Sequence, residues 1–248
     1  MSGAIDDRPE LFLSDAHFGA HDPETEREKV RRFVSFLSHP GHSGATVWFL
    51  GDLFDFWLEY RRAIPRVSVR VLSAIQSFIE HGGEFHLLLG NHDYWVRDFL
   101  TDEIGIILQR DDVRLERSGK SVFLTHGDGK AKGDRGYRLL KKALRFRPGI
   151  WAYRHLPVDW AFALASSSSR SSRRLTEHRE DRFGAEYRRY AERQIAAGTH
   201  AVIMGHLHRP ILERMGASWY INCGEWFERY SYVVREGTSF SLRFWRGY

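Results

Sequence analysis

Five short apolar runs of this sequence each lead into Asp, Asn or His residues. Residues 11–13 precede Asp15 and His17, and residues 46–50 precede Asp52. Of the three later runs, the first precedes Asn91 and His92, the second precedes His126, and the third precedes His206 and His208. Singly, each set has an ordinary explanation, because Asp and Asn favour turns and helix caps and a lone histidine packs well in a loop. Five such sets in one chain favour a shared chemical site instead.

The apolar runs have the length of β-strands, and the segments between them are helix-like. Residues 24–37 and 67–80 carry apolar side chains at helical spacing on one face. Strands that alternate with helices indicate an α/β fold with a partly parallel sheet. In such sheets ligands bind beyond the carboxyl ends of the strands, so we expect the five sets to converge there. Further strand-like runs at 218–223, 230–235 and 239–245 extend or cover the sheet.

The residue types in these sets suit metal ions. Imidazole and carboxylate ligands together favour two ions of Mn, Fe or Zn over Ca or Mg, which prefer oxygen ligands. The Asp52 carboxylate is able to bridge two such ions. Ions about 3.5–4 Å apart bind the oxygens of a phosphoryl group and lower the pKa of bound water, so that a nucleophile exists near neutral pH. The pattern therefore indicates metal-assisted hydrolysis of a phosphoester.

Positive charge is concentrated in residues 128–185. This segment has fourteen Lys and Arg residues against six acidic ones, whereas the whole chain of 248 residues has a formal net charge of +5. Leucine, phenylalanine and tryptophan alternate with these cations, which favours a lid or an interfacial surface. An ordinary helical part of the core remains the alternative interpretation. Such a segment suits a polyanion, an anionic membrane surface or a phosphorylated ligand.

Composition disfavours several classes of protein. The apolar runs are shorter than the roughly 18–20 residues that span a bilayer, and the first residues lack the basic and apolar regions of a signal peptide. Cys223 is the only cysteine, which excludes an internal disulfide and indicates a reducing compartment. We expect Cys223 to be buried. Residues 111–117 alternate in charge and are predicted to face solvent.

In order and spacing, the five sets resemble the motifs of the calcineurin-like metallophosphoesterases. The matching residues are Asp15-x-His17, Gly51-Asp52-x-x-Asp55, Gly90-Asn91-His92-Asp93, His126 and Gly205-His206-x-His208. The resemblance implies a two-layer β-sandwich flanked by helices, formed by residues 1–127 and 186–248, with residues 128–185 as an inserted helical cap.

The same resemblance implies a role for each site residue. Asp15, His17, Asp52 and His208 would hold one metal ion, and Asp52, Asn91, His126 and His206 would hold the other. His92 would face the scissile phosphate, where it protonates the leaving oxygen or stabilises developing charge. Asp55 would be the carboxylate that orients His92. For Asp93, a supporting role and a simple turn residue remain equally open.

A closer resemblance is to the UDP-2,3-diacylglucosamine hydrolases of lipid A assembly. It rests on residues 51–57, 126–129, 133–137, 166–170, 205–210 and 222–226. It implies cleavage of UDP-2,3-diacylglucosamine to UMP and 2,3-diacylglucosamine 1-phosphate. The implied cofactors are two divalent ions, with Mn²⁺ preferred over the alternatives Fe and Zn. It also implies a peripheral position on the cytoplasmic face of the inner membrane, with no nucleic acid and no obligate protein partner. Substrate contacts are expected from Asn91, His92, Asp134, Tyr137, His206 and Arg173, with Arg174 as the alternative to Arg173.

One residue departs from this closer family. Its well-known members carry arginine where this chain has His92, whereas histidine is the general metallophosphoesterase choice. A hydrolase of soluble nucleotides or other phosphoesters is therefore the alternative function. A nuclease is less favoured, because the cations of the 128–185 segment alternate with aliphatic and tryptophan side chains. A scaffold without metal is disfavoured because every expected ligand is present.

Overall fold

Strands and helices alternate in the part of the chain that the structure, a computed structural model, describes: residues 8–57, 59–60, 64–92, 95–130, 156, 160 and 180–247. In chain order they are β1 (Glu10–Leu13), α1 (Pro23–Leu37), a 3-10 turn (Pro40–His42), β2 (Thr46–Phe49), α2 (Ser68–Glu80), β3 (Glu84–Leu88), α3 (Phe99–Asp102), β4 (Ile107–Gln109), β5 (Val113–Arg117), β6 (Lys120–Thr125), α4 (Glu180–Ala196), β7 (Ala201–Met204), β8 (Ile211–Met215), β9 (Ser218–Asn222), β10 (Ser231–Glu236) and β11 (Ser239–Phe244).

The strands form two mixed sheets. The first has the order β11-β10-β1-β2-β3-β4 and the second the order β5-β6-β7-β9-β8. Neighbouring strands from β1 to β4 run parallel, and so do β6, β7 and β9. The strand ends are in register, since Leu13 pairs with Phe49 and Phe49 with Leu87. The loops that follow these strands therefore leave the first sheet at one edge.

Apolar side chains fill three layers. Between the sheets, Phe12, Trp48 and Leu88 of the first sheet pack with Leu124 and Ile203 of the second. The opposite face of the first sheet is covered by α1 and α2, and the opposite face of the second by α4. Side chains alternate between the two faces of a strand, so each strand contributes to two layers. This arrangement confirms the predicted two-layer β-sandwich flanked by helices.

The predicted elements are found with small shifts, and one prediction is wrong. Helices predicted at 24–37 and 67–80 are α1 and α2, and Cys223 is buried. Residues 111–117, predicted to face solvent, include the edge strand β5, whose Val113 and Leu115 pack on the core between the sheets. Side chains alternate between the two faces of β5. The charged residues Arg114 and Glu116 face outward, whereas Val113 and Leu115 face the core.

The predicted cap, residues 128–185, lies outside the described residues except at its two ends and at positions 156 and 160. Its status as an inserted helical domain therefore stays a prediction. None of the described helices is long and apolar enough to cross a membrane.

A fully buried lysine ties α1 to the loop after β1. The Lys29 ammonium donates to the His17 carbonyl at 2.9 Å and to a Glu26 carboxylate oxygen at 2.7 Å, and lies 3.1 Å from His21 Nδ1. The same Glu26 oxygen accepts the His21 backbone N–H at 3.0 Å. A buried cation is stable only when it is paired, so Glu26 is needed to keep Lys29 under this loop.

Replacing Glu26 by glutamine should make stability less dependent on pH. Burial raises the pKa of the Glu26 carboxyl, but the His21 hydrogen bond and the Lys29 charge outweigh burial and lower that pKa from 4.5 to about 2. Because the folded-state pKa is depressed, the ionised pair stabilises the fold above pH 4.5 and loses this effect as the pH falls towards 2. We expect Glu26→Gln to lose about 2–4 kcal/mol of unfolding free energy at pH 7.

The measurement is urea unfolding of both proteins between pH 7 and pH 3, where the difference should shrink as the pH falls. Glu24→Gln, on the exposed side of the same helix, should change stability by at most ~0.5 kcal/mol. A difference between Glu26→Gln and the parent that stays constant with pH would contradict the assigned pairing.

Candidate metal centre

The five predicted sets of polar residues meet at one edge of the sandwich. Each lies in the loop directly after a parallel strand: Asp15 and His17 after β1, Asp52 after β2, Asn91 and His92 after β3, His126 after β6, and His206 and His208 after β7. The loops after β1 and β2 remain paired, because Asp15 N–H donates to Gly51 O at 3.0 Å and His17 N–H donates to Asp52 O at 2.9 Å.

Left-handed backbone is concentrated in these loops. Of the seven non-glycine residues with positive φ among those described, five are Asp15, His17, Asp52, His206 and His208, with φ from 45° to 70°. Such conformations are unfavourable for residues with a Cβ atom and persist only where surrounding contacts hold them. Their clustering marks this edge as a functional site.

One set of metal-binding atoms, the first ligand group, belongs to Asp15, His17 and His208, and these atoms lie within 4.8 Å of one another. The Nε2 atoms of His17 and His208 are 3.2 Å apart. Asp15 Oδ1 lies 3.3 Å from His208 Nε2 and 3.8 Å from His17 Nε2. The other Asp15 oxygen, Oδ2, accepts the His206 N–H at 2.8 Å and so joins the loops of the two sheets.

The second ligand group contains Asp52, His126 and His206. His126 Nε2 lies 3.2 Å from His206 Nδ1, 3.4 Å from Asp52 Oδ2 and 3.3 Å from Asn91 Oδ1. His126 Nδ1 donates to the Leu50 carbonyl at 2.7 Å, so Nε2 is the nitrogen that could bind a metal ion.

Asp52 connects the two groups. Its Oδ2 atom lies 3.4 Å from His126 Nε2 and 3.8 Å from His17 Nε2, and the residue is 1% exposed. Glycine on either side makes this position possible. A Cβ atom at Gly90 would lie 2.1 Å from Asp52 Oδ1, and one at Gly51 would lie 2.4 Å from His126 Nδ1.

Burial and neighbouring charge set the protonation of these groups. Burial lowers the pKa of His17 well below its ordinary value, and burial together with His126 lowers the pKa of His206 to about 4. Burial opposes ionisation of Asp52, but the nearby His126 charge outweighs it and the Asp52 pKa is well below its usual range. Burial opposes protonation of His126 and His208, but the Asp52 charge raises the pKa of His126 well above its ordinary value and the Asp15 charge raises that of His208. Imidazoles bind metals in their neutral form, so an ion bound here would displace protons from these two histidines.

The donor atoms fit divalent ions held by nitrogen and oxygen. Asp15 Oδ1 is buried and makes no hydrogen bond to any described residue. Two pairs of imidazole nitrogens lie 3.2 Å apart, where a proton or a cation is needed to keep their lone pairs from repelling each other. The assignment of individual ligands to two ions stays a prediction that this geometry supports.

His92 lies beside both groups. Its backbone N–H donates to Asp52 Oδ1 at 3.1 Å, and its ring centroid is 4.9 Å from that of His17. We predicted that the Asp55 carboxylate orients this ring. The contact of hydrogen-bond length is instead with the Asp55 main-chain carbonyl, 2.6 Å from His92 Nδ1, while carboxylate Oδ1 lies at 3.8 Å. A proton exchanged with a substrate would therefore be carried at Nε2.

The remaining predicted residues are outside the described part of the chain. They are Asp93 and the expected substrate contacts Asp134, Tyr137 and Arg173, together with the alternative Arg174. The other expected substrate contacts, Asn91, His92 and His206, lie within the convergent loops.

Two residues have supporting roles that the sequence did not indicate. Lys29 donates to the His17 carbonyl, and the one sequence feature that points to it is its position next to the apolar stripe that includes Val30 and Phe33. Glu225 belongs to the 222–226 stretch that carries the closer resemblance, but its role as a fully buried acceptor of three backbone N–H groups of its own turn was not predicted.

Comparison with known proteins agrees with this geometry. The family model "calcineurin-like phosphoesterase" matches residues 10–210. The chain is 30% identical to a UDP-2,3-diacylglucosamine hydrolase of Porphyromonas gingivalis over 93% of this chain and 95% of the relative. It is 28% identical to the protein of that name from Pseudomonas paraeruginosa, over 81% of this chain and 82% of the relative, and 28% identical to that from Azotobacter vinelandii, over 83% of each.

Gly90→Ala should disrupt the centre although it adds only a methyl group. The new Cβ atom would lie 2.1 Å from Asp52 Oδ1 and 2.7 Å from the Asp52 nitrogen, so the Asp52 carboxylate must move. We expect the affinity for Mn²⁺ to fall about 10–100-fold, measured by titration of metal-free protein.

The matched control is Gly184→Ala on α4, where a Cβ atom meets no atom within 4 Å. This variant should bind Mn²⁺ like the parent and gain up to ~1 kcal/mol of stability. Equal Mn²⁺ affinity in Gly90→Ala and the parent would show that Asp52 is not a ligand.

Proposed function

The chain belongs to the calcineurin-like phosphoesterase family, and we propose that it hydrolyses the pyrophosphate of UDP-2,3-diacylglucosamine. Water adds to the α-phosphorus and the bond from that phosphorus to the bridging oxygen breaks, giving UMP and 2,3-diacylglucosamine 1-phosphate. The observation that carries the proposal is the pair of ligand groups joined by Asp52 at one edge of the sandwich. The shared name of the relatives, which align over most of the chain, supports the substrate.

We assign the ligands as the resemblance implies. Asp15, His17, Asp52 and His208 hold one divalent ion, and Asp52, Asn91, His126 and His206 hold the other. Mn²⁺ is the proposed metal, with Fe or Zn as alternatives, because the set mixes imidazole and carboxylate. Such ions would polarise the phosphoryl group and make water a nucleophile near neutral pH.

His92 acts on the leaving side of the reaction in this proposal. Its Nδ1–H donates to the Asp55 carbonyl, which fixes the ring, so the imidazolium form of His92 is the one that donates a proton or a hydrogen bond from Nε2 to the departing phosphate oxygen. After proton transfer the neutral ring regains its Nε2 proton from water. Asp55 acts as a positioning residue through its main chain. Asn91 and His206, beside the ions, are proposed to contact the phosphoryl oxygens.

The substrate's lipid and sugar parts are assigned to the predicted cap. Residues 128–185 combine apolar side chains with a strong positive excess, which suits acyl chains next to a diphosphate. Asp134, Tyr137 and Arg173 are the proposed contacts. Each Lys or Arg near an anionic leaflet adds roughly 1 kcal/mol of attraction, so we propose a peripheral position on the cytoplasmic face of the inner membrane.

Soluble phosphoesters are the second candidate substrates. The observation that favours them is His92, because the departure from arginine at this position leaves a site like that of general phosphoesterases. The two candidates share the metal centre and differ in whether the lipid is needed.

Hydrolysis of UDP-2,3-diacylglucosamine should require both metal and Asp52. We expect the purified protein to release UMP from this lipid in detergent with Mn²⁺, and to stop when a chelator is added. Asp52→Ala should lower turnover at least ~100-fold, since the variant loses the carboxylate that connects the two ligand groups. UMP release is followed by chromatography.

Asp111→Ala, which removes an exposed aspartate outside the site, is the matched control and should keep full activity. A soluble phosphodiester is tested alongside the lipid. Turnover of the soluble ester without turnover of the lipid would reject the lipid substrate and keep the metal centre. Turnover by metal-free Asp52→Ala would reject the centre itself.

His92→Ala should slow the chemical step without weakening the binding of the metal ions. The backbone N–H that donates to Asp52 is retained in alanine, so both ions should bind as in the parent. We expect kcat to fall about 10²–10⁴-fold, the usual contribution of a general acid. The loss should be smaller for a diester with an acidic leaving group, which needs little protonation. An equal loss for both esters would assign His92 to phosphate binding instead.

A further inference from the structure

After β9 the chain returns to the metal centre, with a segment that follows the last ligand motif in the sequence and contains none of the predicted ligands. Here the Trp226 N–H donates to the Asp15 carbonyl at 3.1 Å, and Ser14 Oγ donates to the Gly224 carbonyl at 3.1 Å. The segment at 222–231 is therefore bonded to the loop that carries Asp15 and His17.

Glu225 organises this segment from inside. It is fully buried, and its Oε2 atom accepts the N–H groups of Phe227 at 2.6 Å and Glu228 at 2.8 Å, while Oε1 accepts that of Arg229 at 2.8 Å. Residues 225–229 thus form a turn wrapped around one carboxylate, which we name the carboxylate turn. Charge-assisted hydrogen bonds of this kind are stronger than neutral ones and give the turn a single shape.

The carboxylate turn contacts His208 in two ways. The Phe227 ring meets the His208 ring edge-on, with centroids 5.6 Å apart and planes at 82°. Arg229 Nη1 lies 3.5 Å from the His208 carbonyl and 3.6 Å from Glu225 Oε1. The His208 side chain is 26% exposed, against 3% for His17 and 0% for Asp15. Because less of the core surrounds His208, the contacts with the carboxylate turn contribute more to its position.

The backbone on both sides of this contact is strained. Asp15 and His208 have left-handed φ values of 54° and 51°, which surrounding contacts must hold. Gly224, with φ of 79°, lets the segment approach closely, since a Cβ atom there would lie 3.0 Å from Pro210 and 2.2 Å from Ser231 Oγ. The loop carrying His208 is thus packed directly on this segment.

We propose that Glu225 is a positioning residue that sets the affinity of the first ligand group for its divalent ion. The inference rests on the metal centre of the proposed function. Glu225 touches no ligand itself, and acts through Phe227 and Arg229 on His208 and through the neighbouring Trp226 N–H on Asp15. The contacts given above lead from the carboxylate turn directly to His208 and Asp15, and to the second ligand group only through the Asp15 bond to the His206 N–H, so the two ions should respond to different extents when Glu225 is changed.

The test is titration of metal-free Glu225→Gln with Mn²⁺ alone, followed by calorimetry. Glutamine has one acceptor oxygen, and its NH₂ group would face a backbone N–H that the carboxylate now accepts. We expect one of two Mn²⁺ ions to bind about 10–100-fold more weakly and the other to be weakened much less. In the enzyme assay, excess Mn²⁺ should restore kcat while the Mn²⁺ concentration for half-activation stays raised.

Two further variants separate positioning from folding. Glu225→Asp keeps the charge but is one methylene shorter, so it should recover part of the lost affinity. Phe227→Ala removes the half-buried ring against His208 and leaves the buried carboxylate in place, so it should weaken the same ion even where Glu225→Gln fails to fold.

Glu59→Gln is the matched control. Glu59 is also a buried carboxylate, accepting the Asp98 N–H at 3.1 Å, the Phe99 N–H at 3.4 Å and the Trp57 indole at 3.1 Å, but it supports a different loop. It should lose stability in thermal unfolding and keep both Mn²⁺ affinities.

Unchanged binding of both ions by Glu225→Gln and Phe227→Ala would overturn the role of Glu225 and leave the proposed function intact. If Glu59→Gln weakened Mn²⁺ binding as much as Glu225→Gln, the role of Glu225 would also be overturned, because the loss of affinity would then follow from lower stability in general. A parent protein that binds no Mn²⁺ would instead refute the metal centre, and the inference with it.

Discussion

The close packing of buried donor atoms around Asp52 is the constraint on which the rest of the structure depends. One carboxylate oxygen lies 3.4 Å from His126 and 3.8 Å from His17, and each of these imidazoles lies 3.2 Å from another. Without a cation or shared protons, such an arrangement leaves buried charge and facing lone pairs uncompensated. The surrounding fold must therefore hold these atoms in place, and the backbone is left-handed at the ligands where it does so.

The sandwich supplies that support in layers. Register between parallel strands brings the loops to one edge, and glycines at 51 and 90 allow the Asp52 carboxylate and His126 to approach their neighbours. Behind the first ligand group, Lys29 holds the His17 carbonyl from α1, while the carboxylate turn around Glu225 packs on His208. Both supports are buried ions satisfied by hydrogen bonds, which gives them one geometry rather than many.

Chemistry and substrate choice are assigned to different parts of the chain. The centre consists of short loops on a rigid sandwich, which suits phosphoester hydrolysis whatever the rest of the substrate. In the proposed function, recognition of a diacylated sugar nucleotide falls to the predicted cap, the basic and apolar residues 128–185. This division explains why a histidine at position 92, shared with general phosphoesterases, is compatible with a proposed lipid substrate.

The sequence alone indicated eight of the eleven described strands, the helices α1 and α2 and the residues of the convergent loops, because local periodicity and short motifs record burial and chemistry over a few neighbours. The strands β4, β5 and β8 and the helix α4 were not predicted. Tertiary structure decided what lies far apart in the chain. The Asp55 carbonyl rather than its carboxylate meets His92, β5 buries alternate residues, and Glu225 reaches a loop more than two hundred residues earlier through Trp226 and Asp15. These contacts depend on how sheets and loops pack against one another, and no local pattern records that packing.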